Sequence, residues 1–199
     1  KPIVGGFSTA DVEKVVASET DLVVAAAIHE TEVIPQLEAL GLPVLGLAPK
    51  TLDEVLAAIN LIGRCTGKQE ATEELVAGIS RRIEDVTDKT ADLTPEERPR
   101  VFYLLWHDPL MTAGSATGIY ELIVLAGGIS IAEGLEEDYP TVGLETVISE
   151  DPEVIVAGTG HGEGANLPYQ FVLNESRLSE TQARLNSRVF EIDTDLVGR

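Results

Sequence analysis

Three histidines are the residues of this chain best suited to metal chemistry. His29, His107 and His161 each stand directly after an apolar run that reads as a strand. Imidazole is a common zinc ligand and the side chain whose unperturbed charge changes nearest neutral pH. Three such rings could in principle hold one ion. The spacing does not specify that: no HExxH or other tight ligand pair is present, and no carboxylate partner is marked. Histidines that line a ligand cleft, or simply face solvent, are the competing readings, and no metal site is assigned.

Other reactive residue types lack the settings they need. GTGHGEG at 158–164 is glycine-rich but has no Lys-Ser/Thr pair, so it reads as a loop and not as a phosphate cradle. Ser115 lies in AGSAT, which is not a nucleophile elbow. Cys65 is the single cysteine, so no disulfide forms within the chain and no zinc cluster is built on cysteines. Its setting, LIGRCTG at a helix end, reads as a buried structural thiol. No catalytic residue is assigned. Trp106, Met111 and Tyr139 are large or soft side chains on expected loops, and apolar, aromatic-lined clefts are the usual surfaces for small molecules. Trp106 also fits a core position.

The elements that would position these residues occur twice. Residues 12–29, VEKVVASETDLVVAAAIH, align without a gap on residues 144–161, LETVISEDPEVIVAGTGH. Glu13 matches Glu145, Val15 matches Val147, Val24 and Ala25 match Val156 and Ala157, and His29 matches His161. Each copy reads as a short amphipathic helix, an acidic turn, a buried strand and a His past the strand's carboxyl end, where open α/β sheets place ligands. Two such units suggest two similar lobes.

The remaining pattern alternates strands and helices. Residues 3–6 read as a short strand, and Ser8 or Thr9 as the cap of a helix to about residue 18. Leu22–Ala27 is an apolar run without alternation, expected to be a strand buried on both faces. Helices are expected over 30–40 and 52–64, with a strand over 44–47. A longer helix follows from about Gln69 to Asp92, with Leu75, Ile79, Ile83 and Val86 on one narrow stripe. It reads equally as a spine between lobes or as a surface helix. TPEERP at 94–99 is a turn-rich boundary. Beyond it come a strand over 100–106, a loop over 107–115, a helix over 118–125, an acidic loop over 133–142, a helix over 143–150 and a strand over 153–158. A less regular stretch over 159–178 leads to a short helix and a last strand, 189–192. The pattern predicts an α/β protein of two Rossmann-like lobes with mainly parallel sheets and leaves open whether the long helix joins them. The lobes are drawn at 1–68 and 94–199, with 69–93 as the linking helix.

Composition excludes some functions. With 14 Lys and Arg against 34 Asp and Glu, the formal charge is −20, which argues against nucleic-acid binding. There is no apolar run of the roughly 18–20 residues a membrane span needs. The chain opens on the strand-like KPIVGG and stops soon after another strand, which suggests a fragment or processed chain.

Four blocks, VGGFSTADVEKVVASETDLVVAA, LEALGLPV, WHDPLMTAGSATGIYELIVLAGG and YPTVGLETVISEDPEVIV, together run most of the chain. In that order they resemble the periplasmic binding proteins that feed ABC importers of cobalamin, haem and ferric siderophores. The resemblance implies two α/β lobes bridged by a rigid helix, a ligand held between them and no catalytic step. It also implies that a strand–helix–strand segment before KPIVGG and a helix after TDLVGR are absent.

The resemblance assigns roles residue by residue. Glu13 and Glu145 fall where family members carry one acid per lobe for docking to the membrane permease. Phe7 and Tyr139 match aromatic positions of the cobalamin cleft, and Asp195 and Arg199 match a polar pair at its far end. Ala26 and Met111 stand where cobalamin binders have aromatics, so the pocket would be less aromatic. Independently of the resemblance, Trp106 as a loop aromatic and His107 as a strand-end histidine join Met111 as ligand-side candidates. His29 and His161 would add polar contacts or an axial nitrogen to a chelated metal. The implied partners are permease subunits and a small-molecule metal chelate, with no cofactor of the protein's own. The implied state is a monomer in the periplasm or another extracytoplasmic compartment, with a lipoprotein anchor left open. The alternatives are a chelatase- or nitrogenase-like two-lobed enzyme, and a binder of free zinc or manganese ions from the same superfamily.

Overall fold

The computed structural model describes residues 3–6, 9–160 and 166–197. Phe7, His161 and Arg199 lie outside the described residues. The chain divides into two compact units, Lys1–Pro49 and Lys50–Arg199.

In the first unit, helix α1 (Val12–Ala17) leads to strand β1 (Val23–Ala26), and helix α2 (Val33–Ala39) leads to strand β2 (Val44–Leu47). The two strands pair in parallel, Val23 opposite Val44. The cap of α1 is Asp11, not Ser8 or Thr9: its carboxylate accepts the Lys14 N–H at 3.0 Å. Upstream, the Gly6 N–H donates to the Thr9 carbonyl, and residues 3–6 hold only the isolated Gly5–Ala10 bridge in place of the expected strand. Strand β1 is also not buried on both faces. Ala25 is buried, whereas Val24 on the opposite face is 47% exposed. Gly41, at φ 81°, ends α2 in the left-handed geometry a glycine adopts freely.

The second unit begins with a helical pair. Helix α3 (Leu52–Thr66) is opened by a reciprocal capping box between Thr51 and Glu54 and closed by Gly67 at φ 67°. Helix α4 (Gln69–Thr90) packs along it. This helical pair lies in the second compact unit, which begins at Lys50. Gly63 is the contact point: a Cβ there would lie 2.0 Å from Thr72 Oγ1 of α4. Two residues on, the helix has turned away, and Cys65 is exposed, contrary to the expected buried thiol. The α4 stripe is shallow: Ile79 and Ile83 are half-buried, and Leu75 and Val86 are 53% and 42% exposed. Among the described residues no helix is long and apolar enough to cross a membrane.

Four parallel strands form the main sheet: β3 (Arg100–Leu104), β6 (Ile129–Ser130), β7 (Val154–Thr159) and β8 (Val189–Asp193), in the order β6-β3-β7-β8. Between β3 and β6 lie the short strands β4 (Trp106–His107) and β5 (Leu110–Met111) and helix α5 (Gly118–Leu125). Helix α6 (Leu144–Glu150) precedes β7, and helices α7 (Leu167–Asn174) and α8 (Gln182–Leu185) precede β8. One face of the sheet buries Phe102, Leu104 and Ile155 against Val147, Val172 and Leu178. The other buries Tyr103 with Ala113 and Ile119. The fold class is therefore mixed α/β with mainly parallel sheets, as expected.

The internal repeat is structural. α1 followed by β1 corresponds to α6 followed by β7. Two of the identical apolar pairs are core residues in both copies: Val15 and Val147 are 7% and 0% exposed, Ala25 and Ala157 6% and 0%, whereas Val24 is exposed where Val156 is half-buried.

Candidate functional site

At the carboxyl end of β3 the chain makes a small hairpin instead of the expected loop. β4 pairs antiparallel with β5, Trp106 opposite Met111 and His107 opposite Leu110. The Leu105 N–H donates to the Met111 carbonyl at 2.9 Å, which continues the pairing back to β3. The segment around Tyr139 runs along the hairpin's far side. Thr112 N–H donates to Pro140 O at 3.1 Å, Gly114 N–H to Asp138 O at 3.0 Å, and Val142 N–H to Leu110 O at 2.9 Å. Gly114 is required here, since a Cβ would stand 1.9 Å from the Glu137 carbonyl. The Lys50 ammonium pairs with Asp138 at 3.0 Å and tethers the same segment.

These pairings bring Trp106, His107, Met111 and Tyr139 onto one ribbon. Trp106 is half-buried, with its indole N–H donating to Asp108 O at 2.9 Å. Its ring centroid lies 5.0 Å from that of His107, which lies 5.9 Å from Phe171. The His107 Nδ1 is buried without a hydrogen-bond partner. Tyr139 is 47% exposed. The exposed part of the ribbon is aromatic and partly apolar, the kind of surface that small-molecule sites commonly present. Ser115 donates to Leu135 O at 3.0 Å, a structural bond.

In the first unit His29 ends a 3₁₀ turn, Ala27–His29, after β1. Its Nδ1 is buried and has no hydrogen-bond partner among the described residues, and the ring lines a cavity of about 190 Å³ with Gly5, Gly6 and Val24. Asp195 lies in a 3₁₀ turn after β8, where its N–H donates to Asp193 Oδ1 at 2.9 Å. No group of three or more His, Cys, Asp and Glu side chains among the described residues could hold a metal ion.

Glu13 and Glu145 occupy the same place in their helices, the second residue of α1 and of α6. Both are exposed. Each has a cation nearby that is held by another acid. Lys14 pairs with Asp11 at 3.1 Å. Arg177 gives Glu175 two side-chain hydrogen bonds of 3.0 Å and its own N–H a third of 3.0 Å. These bonds pull the Glu175 carboxyl down to about 2 and raise Arg177. Glu145 is 3.9 Å from the same guanidinium with its side chain 84% exposed, so its carboxylate stays available.

Nothing in the sequence marks Tyr103, an interior strand residue, yet its hydroxyl is buried without a partner at this end of the sheet. An aromatic within an apolar strand, beside Phe102, carries no motif that would have distinguished it.

Comparison with known proteins agrees with this architecture. Residues 1–196 match the family described as Periplasmic binding protein, and the chain belongs to that family. It is 30% identical over 198 residues to a cobalamin-binding protein of Halobacterium salinarum, covering 98% of this chain and 53% of that protein. It is 28% identical over 197 residues to a vitamin B12-binding protein of Vibrio cholerae, covering 98% and 68%. The chain thus spans about half the length of the Halobacterium relative. The periplasmic haem-binding protein RhuT of Roseiflexus sp. RS-1 shares the fold, with a TM-score of 0.84, 23% identity, and coverage of 98% of this chain and 75% of that one.

Proposed function

We propose that this chain is the solute-binding part of an ABC importer, capturing a metal chelate of the cobalamin, haem or ferric-siderophore class and delivering it to the permease. The family match over residues 1–196 carries this reading. Relatives named for binding cobalamin and vitamin B12 favour a corrinoid within the class. In this reading residues 1–68 and 94–199 act as the two lobes and 69–93 as the helix that joins them.

In this reading Trp106, His107, Met111, Tyr139 and His29 are chelate-contacting residues. Asp195 contributes a polar contact, and Phe7, His161 and Arg199 complete the set. Glu13 and Glu145 are the docking acids. Two exposed carboxylates in equivalent helical positions give the permease two matched points, and complementary charge speeds and orients the encounter. The protein works outside the cytoplasm, in a periplasm or anchored as a lipoprotein, as a monomer. It performs no chemistry on its cargo.

Trp106 is the single tryptophan of these 199 residues, so its fluorescence, identified by a Trp106→Phe control, reports on the ribbon. Titration of the full-length protein with cyanocobalamin, haemin and ferrichrome should give saturable quenching by one of them. Absence of saturable quenching, together with no binding by equilibrium dialysis, would refute the proposal.

A further inference from the structure

Four buried side-chain polar atoms among the described residues have no hydrogen-bond partner: His29 Nδ1, Asn60 Oδ1, Tyr103 Oη and His107 Nδ1. Only Tyr103 belongs to a fully buried residue, 3% exposed. A buried hydroxyl without a partner is destabilising, and folded proteins keep few of them.

The position of this hydroxyl is specific. Tyr103 stands opposite Val156 in the β3–β7 pairing. Its oxygen lies 3.2 Å from where a Cβ on Gly158 would be, two residues nearer the carboxyl end of β7. The ring therefore leans along β7 toward that end, over a glycine with no side chain to fill the space. Thr194, 5% exposed, borders the same space, but its hydroxyl hydrogen is committed to Thr159 O at 2.7 Å. The carboxyl ends of parallel strands are where open α/β sheets hold ligands. Burial pushes the phenol up to about 12, with a smaller contribution from the nearby Tyr139 phenol, so it stays a neutral donor at physiological pH.

We infer that the Tyr103 hydroxyl is a ligand-binding donor, left unpaired in the empty protein and bonded, in the complex, to an oxygen acceptor on the rim of the chelate. The acceptor is an amide or hydroxamate carbonyl or a carboxylate. The inference rests on the solute-binding reading and adds a specificity contact to it. The hydroxyl is covered in the unliganded protein, so binding rearranges side chains above it. The exposed Tyr139 ring can turn without breaking any of the backbone pairings of its segment.

The test is Tyr103→Phe in the full-length protein, measured for affinity toward cyanocobalamin, haemin and ferrichrome and for melting temperature without ligand. The expected result is about tenfold weaker binding of whichever chelate the wild type takes, the scale of one hydrogen bond lost. The unliganded melting temperature should be unchanged or higher, because an unpaired hydroxyl has been removed. The chelate that responds separates amide, carboxylate and hydroxamate acceptors. Equal affinity in variant and wild type would overturn the inference while leaving the solute-binding reading intact. A lowered unliganded melting temperature would also overturn it, by showing that the hydroxyl already has a partner such as an ordered water. A wild type that binds none of the three chelates overturns both.

Discussion

Glu19 and Asp151 lie at equivalent positions of the internal repeat and share a backbone state that side-chain-bearing residues rarely adopt. Their φ angles are 50° and 43°. Each lies in the turn between a short helix and the following parallel strand. The repeat thus extends beyond aliphatic pattern to the hand of a turn, and the acids in it do different work. The Asp151 carboxylate accepts the Gln182 N–H at 2.9 Å, and its carbonyl accepts from the Arg100 guanidinium at 3.0 Å. Glu19 is exposed and makes no such side-chain bond among the described residues.

This difference predicts opposite responses to glycine. Left-handed geometry costs an ordinary residue about 1–2 kcal/mol, partly offset in a glycine variant by the greater freedom of its unfolded chain. Glu19→Gly should stabilise the protein by about 0.5–1 kcal/mol. Asp151→Gly should be neutral or destabilising by about 1 kcal/mol, because the bond to Gln182 is lost. Urea unfolding of the two variants checks the contrast.

Glu13→Arg combined with Glu145→Arg should abolish uptake while leaving ligand affinity unchanged. Both carboxylates are exposed, and α1 and α6 keep their other side chains. Uptake assays beside equilibrium binding separate the two effects, and a transport-competent double variant would remove the docking role from these acids.

Tyr139→Ala should weaken chelate binding by about 1–3 kcal/mol, the scale of losing an aromatic contact at an interface. Its main chain is held by the pairing with β5 and the residues after it, so the fold should persist. Unchanged affinity would place Tyr139 away from the ligand.

The Glu175–Arg177 pair predicts a pH dependence with a definite sign. The carboxyl is held at about 2, below its unfolded value of about 4.3. Its contribution to stability is present above the unfolded value and is lost as pH falls toward 2. Glu175→Gln should remove that part of the acid slope, read by thermal melts between the two values.

How much of this was legible from residues alone follows from which forces act locally. The limits of β2 and α5 are legible because apolar runs bounded by Pro43 and by Gly127-Gly128 leave little choice. The β4–β5 hairpin was not, since its two short pairs depend on the Tyr139 segment arriving from elsewhere in the chain. Helix α7 lay within a stretch read as irregular, because Pro168 and the glycines before it mask its pattern. Cys65 was misplaced for a related reason: the burial of α3 is set by where Gly63 meets α4, which the spacing of apolar residues does not reveal. Glu13 and Glu145 were marked by repetition, whereas Tyr103 became visible only once its missing partner could be seen.

The central claim is that the protein holds a metal chelate and returns it unchanged. The direct measurement is equilibrium dialysis of the full-length protein with cyanocobalamin, haemin and ferrichrome, followed by release of bound ligand and its identification by absorbance and mass. One chelate bound at saturating stoichiometry and recovered intact is the predicted result. Recovery of a demetallated or otherwise altered product, or no binding of any of the three, would contradict the account.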